Sequence, residues 1–312
     1  MTDKDETTEE FDTTETVGSA GDVVRQQSFE TTGPVELDLG VGAGRIEVRL
    51  VDEPGVHVEV RHDLSSGGNP WMQGMNSLIN WVSTQFGEQT GEISPAEAVR
   101  QTRVDLVGGR LVVRTPKNLP LRSVAIAVSV RAPVDSSVIA HSGSADISVT
   151  GAAARLDLHT GSGAVNADRS SGTADVRTGS GAVRLGPMLA GLKARTGSGD
   201  VEVTSIGGPA SLFTGSGDVW LGAVTADVMA RTGSGDLTVA DAAAGQIELQ
   251  TGSGSIRVGV RAGSAAEIDL SSGTGQARSD LDLSESRPEA GSSLRIHGRT
   301  ASGSAVVSPA AT

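Results

Sequence analysis

Cysteine is absent from all 312 residues, which excludes a disulfide framework and any thiolate metal site. No stretch approaches the roughly 20 apolar residues that a membrane span needs. The start, Met1-Thr2-Asp3-Lys4-Asp5-Glu6, has no basic region and no apolar run. A secretory signal is therefore not expected, and a cytoplasmic location is. Basic residues are outnumbered, 25 against 38, and the net charge of −13 argues against nucleic-acid binding. Aromatics are only 2% of the chain, too few for a thick globular core.

What is present is a period. A Gly-Ser turn returns at residues 143, 161, 179, 197, 215 and 233, a spacing of 18 held five times, and again at Gly252. A fixed period near twenty marks a solenoid, in which each unit buries its apolar surface only against its neighbours. Equivalent positions form columns. Four residues after the first glycine stand Ile147, Val165, Val183, Val201, Val219, Leu237 and Ile256; three before stand Ala140, Leu158, Val176, Ala194, Leu212, Ala230 and Leu249. Matching columns lie two residues further out on each side. Both flanks of the turn therefore alternate as strands with one buried face. The prediction is all-β: a single elongated parallel β-solenoid (β-roll or β-helix) of 18-residue coils with a short helical insertion. Right-handed coiling follows from the bias of parallel crossovers. The inward threonines from Thr160 to Thr251 offer hydroxyls along the stack or to the turn backbone. The glycines are expected to supply positive φ at the corners.

Domain boundaries follow from composition. Residues 1–22 carry eight acidic groups against Lys4. Residues 1–26 are expected to be a disordered, acidic, Thr-rich tail. Thr13 and Thr14 are candidate phosphorylation sites there, since a phosphate among acids can be presented to an Arg-lined recognition domain. Residues 27–312 form the solenoid domain, with opening strands at 27–61 as an irregular end coil. Residues 62–102 are read as a helical insertion and 103–312 as repeat coils with a C-terminal cap. Within the insertion, Trp71, Met75, Leu78, Val82 and Phe86 fall on one helical face, with Trp81 nearby. Ser94-Pro95-Ala96-Glu97 is a capping-box start for a second helix.

Candidate sites are few. Phe213 stands outward between Arg195 and Arg231, and Trp220 outward between Glu202 and Thr238. With Trp71, Met75, Trp81 and Phe86 they make the candidate interaction surface. Asp200, Asp218 and Asp236 stack on consecutive coils. Turn amides can satisfy them; calcium is the sharper alternative, but the order Gly-Ser-Gly-Asp and the single acidic half-turn argue against it. The histidines His57, His62, His141, His159 and His297 are scattered over different coils, and no metal-spaced His pair is read. No G-x-S-x-G elbow or phosphate loop is present either. No catalytic, metal or cofactor-binding residue is assigned, and no cofactor is expected.

The pattern resembles a bacterial family of β-strand-repeat domains of unknown function, the toastrack-type "putative adhesin". The carrying residues are Gly33-Pro34-Val35-Glu36-Leu37 with Gly44-Arg45-Ile46-Glu47-Val48, and the repeated Thr-Gly-Ser-Gly-Asp-Val. Ser279-Asp280-Leu281 before a variable loop and Arg299-Thr300-Ala301-Ser302-Gly303-Ser304 complete the set. The resemblance implies a β-solenoid without catalytic residues or cofactor, and for some members a link to envelope-stress signalling. The expected function is a non-enzymatic interaction scaffold for an unknown protein partner, without nucleic acid or membrane contact. The alternatives are a surface adhesin or ligand-binding roll, which needs export, and a carbohydrate-active β-helix enzyme.

Overall fold

The computed structural model describes residues 12–17, 23–63, 95–117, 121–281 and 293–311. The strands assemble into two sheets, of 14 and 12 strands, that face each other across the core. The regular coils begin with β9 (Ser137–Ser142) and β10 (Asp146–Ala153), followed by β11 (Arg155–Thr160) and β12 (Val165–Ser170). They continue as β13 (Thr173–Thr178) and β14 (Val183–Met188), then β15 (Gly191–Thr196) and β16 (Val201–Ile206). Next come β17 (Ala210–Ser216) and β18 (Val219–Val224), β19 (Val228–Ser234) and β20 (Leu237–Ala242), β21 (Gly245–Ser253) and β22 (Ile256–Val260). The first strand of each coil lies in sheet two, the 12-stranded sheet; the second lies in sheet one. Pairing between coils is parallel and in register: Val183, Val201 and Val219 are direct neighbours and fully buried.

The stack is held at its corners. Gly161 N–H donates to the Gly143 carbonyl, Gly179 to Gly161 and Gly197 to Gly179, each at 2.9 Å. A Cβ on Gly233 would sit 2.6 Å from the Gly215 carbonyl oxygen. The first glycines are thus required by the close approach of successive backbones, a correction to the expected positive φ. Only at a few corners, such as Gly235 and Gly254 (φ 149°), does the left-handed side of φ contribute. The inward threonines work twice. Thr178 Oγ1 donates to the Gly163 carbonyl of the previous coil at 3.1 Å and accepts the Gly181 N–H at 3.0 Å. Thr160 does the same with Ala145 and Gly163.

The aspartate ladder is satisfied along the same direction. Asp200 Oδ1 accepts the Asp218 N–H at 2.9 Å, and Asp218 Oδ1 accepts the Asp236 N–H at 2.7 Å. Asp236 Oδ1 accepts the Ser255 N–H at 2.8 Å, while its Oδ2 meets Arg257 at 2.9 Å. These carboxylates close the turn above them, as the turn-amide reading requires.

The ends differ from the sequence expectation. β3 (Glu36–Val41) and β4 (Ala43–Val51) do not form the end coil. They lie between the coil of β9 and β10 and the coil of β7 (Arg110–Arg114) and β8 (Ala125–Pro133). Leu37, Leu39, Ile46 and Val48 are accordingly almost wholly buried. Sheet one is then extended antiparallel by β5 (Val56–His62), β2 (Val23–Phe29) and β1 (Asp12–Val17), and sheet two by β6 (Arg103–Val107). At the other end β25 (Leu294–Ser302) and β26 (Ala305–Pro309) are not the final coil. They insert between β21/β22 and an outer coil of β23 (Ala266–Ser272) and β24 (Ala277–Ser279).

Part of the expected disordered tail is ordered, while residues 1–11 and 18–22 lie outside the described residues. Residues 12–17 and 23–26 pair as strands, because the open edge of β5 supplies backbone partners where apolar side chains are scarce. Thr13 and Thr14 pair with Gln27 and Gln26 there. The helix predicted at Pro95 is present as α1 (Pro95–Arg100), with Ala98 and Val99 buried. The amphipathic face from Trp71 to Phe86 lies outside the described residues.

Two outcomes are expected. Gly197→Val places a side chain against the Gly179 carbonyl and should lower the denaturation midpoint more than Thr214→Val, which costs about 1–2 kcal/mol. The Ser255 amide, with Arg257, holds the Asp236 carboxyl below its usual value. Its stabilisation is therefore present above the unfolded pKa and is lost as pH falls through the lower folded one. Asp236→Asn should flatten the fall in melting temperature below about pH 4, measured by circular dichroism.

Candidate functional site

Strict register turns the outer face of sheet two into two columns. One runs Gly40, His141, His159, Arg177, Arg195, Phe213, Arg231, Gln250 and Arg299. The other, two residues earlier on each strand, runs Asp38, Ile139, Asp157, Asp175, Lys193, Ser211, Met229, Glu248 and His297. Each strand alternates, so both columns point away from the core. Charged groups crowd the half nearer the N-terminus; exposed apolar groups occupy the middle.

The charged half begins with Asp38, which receives Arg110 at 2.7 Å and Arg114 at 2.5 Å. Burial pushes its carboxyl up, but the hydrogen bonds and charges of the two guanidiniums outweigh that and hold it below the usual range. Arg114 can lie across β3 because Gly40 has no side chain; a Cβ there would run into it. Beside this lies a trough of about 510 Å³ lined by Gly40, Arg114, Thr115, Lys117, His141 and Gly143. Three strands further along the sheet, Asp175 is gripped by Arg177 through hydrogen bonds of 3.0 and 2.8 Å. Burial raises its carboxyl, and Arg177, Lys193 and His159 together bring it below the usual value. Between these pairs His141 and His159 meet edge to face, with ring centroids 5.0 Å apart.

The middle of the face carries Phe213, 51% exposed, and Met229, 39% exposed, on neighbouring strands. Phe213 is in register between Arg195 and Arg231, as its column predicts. The Arg231 guanidinium is engaged with Glu248 at 3.0 Å. Trp220 does not join this patch. It lies on β18, in sheet one, in register with Glu202 and Thr238 on the opposite side of the solenoid. The two candidate aromatics thus mark two separate faces. Trp71, Met75, Trp81 and Phe86 lie outside the described residues. Among those described, no helix is long and apolar enough to cross a membrane.

The histidines are where sequence reading missed most. His57 and His297 sit apart, on Ser28 and Asp269 respectively. His141 and His159, however, are 18 residues apart, one coil, and the register makes them neighbours. The signal was in the numbering: the period that aligned the valines aligns these rings as well.

Two overlapping stretches, residues 112–221 and 207–309, match the model of the Toastrack DUF4097 family and together span well over half of the chain. None of the curated proteins matches. Among solved structures the chain is similar to a "putative adhesin" from Bacteroides fragilis, at 12% identity and a TM-score of 0.45, covering 91% of this chain and 96% of the other. A second, described likewise, from Parabacteroides distasonis shares 10% identity at a TM-score of 0.35, covering 92% and 96%. A "putative lipid binding protein" from the same species shares 9% identity at 0.28, covering 92% and 95%. The family follows from the sequence match: this chain belongs to the Toastrack DUF4097 family.

Proposed function

We propose that the chain is a non-enzymatic β-solenoid interaction scaffold that recognises a protein partner through the outer face of sheet two between β15 and β21. The observation that carries this reading is the half-exposed pair Phe213 and Met229, ringed by Lys193, Arg195, Arg231 and Glu248. An aromatic and a methionine at the centre, with arginines around them, is the composition enriched in the energetic core of protein interfaces. A shallow depression of about 330 Å³ beside Met229, floored by Leu192 and Ala210, gives a partner side chain somewhere to enter. A flat, in-register surface needs no rearrangement to bind, which suits a scaffold. The envelope-stress setting implied by the family resemblance belongs to the same reading, as do the alternative of kinase signalling and a cytoplasmic location.

The test is crosslinking in cells under envelope stress, comparing the wild type with the double variant Phe213→Asp and Met229→Asp. Crosslinked adducts should fall by tenfold or more, on the order of hot-spot losses. Trp220→Asp, on the opposite sheet, should leave them unchanged. Adducts that survive the double variant, with its melting temperature intact, would overturn the reading. Digestion by protease added to intact cells would end its cytoplasmic part.

A further inference from the structure

We propose that His141, Asp157 and His159 form a site for one divalent transition-metal ion on the outer face of sheet two. The site is independent of the Phe213 patch. It rests on how two successive coils present their polar side chains.

The register sets the constellation. β9 and β11 pair in parallel with His141 opposite His159, and Asp157 precedes His159 by two on the same strand, hence on the same face. His159 Nε2 lies 3.2 Å from Asp157 Oδ1. Both atoms are shut off from solvent, and neither has a hydrogen-bond partner. One ligand atom from each of the three residues lies within 4.8 Å of the others. A carboxylate oxygen and an imidazole nitrogen, buried this close without hydrogen bonds, are poorly placed unless a positive centre sits between them.

The distances suit a metal ion. Around a tetrahedral ion with ligand bonds of about 2.0–2.1 Å, ligand atoms stand about 3.3 Å apart. The His159–Asp157 pair already has that separation. His141 is exposed, and its ligand nitrogen, within 4.8 Å of the others, has to approach by side-chain rotation. Two imidazoles and one carboxylate are a donor set for zinc and its neighbours in the transition series; calcium and magnesium want oxygen alone. Three protein ligands leave at least one coordination position for water.

The surroundings complete the case. Asp175 Oδ1 is 3.7 Å from His159 Nε2, but that oxygen already accepts from Arg177 Nε at 3.0 Å, and Arg177 and Lys193 engage Oδ2. This carboxylate serves as an outer anion that favours positive charge at the site rather than as a ligand. The competing occupant is a proton: His159 as imidazolium bridging Asp157 and Asp175. That arrangement uses the same atoms and binds no metal, so the two can be told apart.

The experiment uses the untagged full chain, stripped with chelator, titrated with Zn²⁺ by calorimetry and with Co²⁺ by visible absorption. The expected result is one ion per chain, Co²⁺ bands of a low-coordinate nitrogen–oxygen site, and a higher melting temperature with Zn²⁺. His159→Ala and Asp157→Asn should each weaken binding by more than about tenfold. His141→Gln, at an exposed position, should do so without altering the melting temperature of the metal-free protein. His297→Ala, on a distant coil, should bind as the wild type does. Absence of a one-per-chain site, or wild-type affinity in the His141→Gln and His159→Ala variants, overturns the proposal. A His159 imidazolium persisting above pH 7 by NMR, unchanged by Zn²⁺, assigns the site to the proton instead.

Discussion

Everything in this molecule depends on how closely one coil's backbone lies on the next. At the Gly-Ser corners the amide of one glycine meets the carbonyl of the glycine a coil earlier, and no side chain fits between them. Threonine hydroxyls just inside each corner tie the same two coils together. That contact leaves no freedom to slip. A shift of one residue would turn every buried valine outward. The register is thus fixed at the corners, and the strands inherit it.

A core of small side chains follows from the same constraint. Two sheets joined by tight turns leave room for aliphatic side chains, and the buried columns hold mainly valine, leucine, isoleucine and alanine beside the threonines. Each coil adds a thin apolar layer that is worth something only when another layer covers it. Hydrogen bonds between coils, including the aspartate carboxylates that accept the next coil's amides, therefore carry a large share of the cohesion.

The sequence made the repeating part legible because period and phase are local properties. Columns such as Val183, Val201 and Val219, the inward threonines and the outward Phe213 could all be read from spacing alone. The stacking order of the end coils could not. Coils of equal length and similar phase can pile in either order, and the long stretches of chain between β4 and β7 and between β24 and β25 allow it to step past its own neighbour. Nothing in the apolar pattern of Val35 to Leu50 says that another coil will lie on its far side. The separation of Trp220 from Phe213 follows from the turn between their strands. Residue type alone groups them as one surface; the sheet each strand joins separates them. The pairing of His141 with His159 is legible in the 18-residue spacing, but metal-site motifs, which count residues along one segment, do not capture it.

The surface chemistry is consequently shared between coils. Asp38 is satisfied only because Arg110 and Arg114, more than 70 residues later, fold back beside it. The charged network on β7, β3, β9, β11 and β13 draws on five strands of one face. A site of this kind is assembled by stacking and dissolves if stacking is lost. It links the integrity of the corners to whatever the face recognises.

The exchanged order at the ends bears on how the protein is made. The ribosome delivers β23 before β25, yet among the described residues the sheet-two partner of β23 is β25. The outermost layer must therefore wait, unpaired, until the last residues have emerged and slotted in beneath it. The same holds at the opposite end, where β4 cannot complete its pairing until β8 arrives more than seventy residues later. Vectorial synthesis alone cannot zip this solenoid from end to end; its middle can close during translation, and both extremities are finished by chain that arrives late.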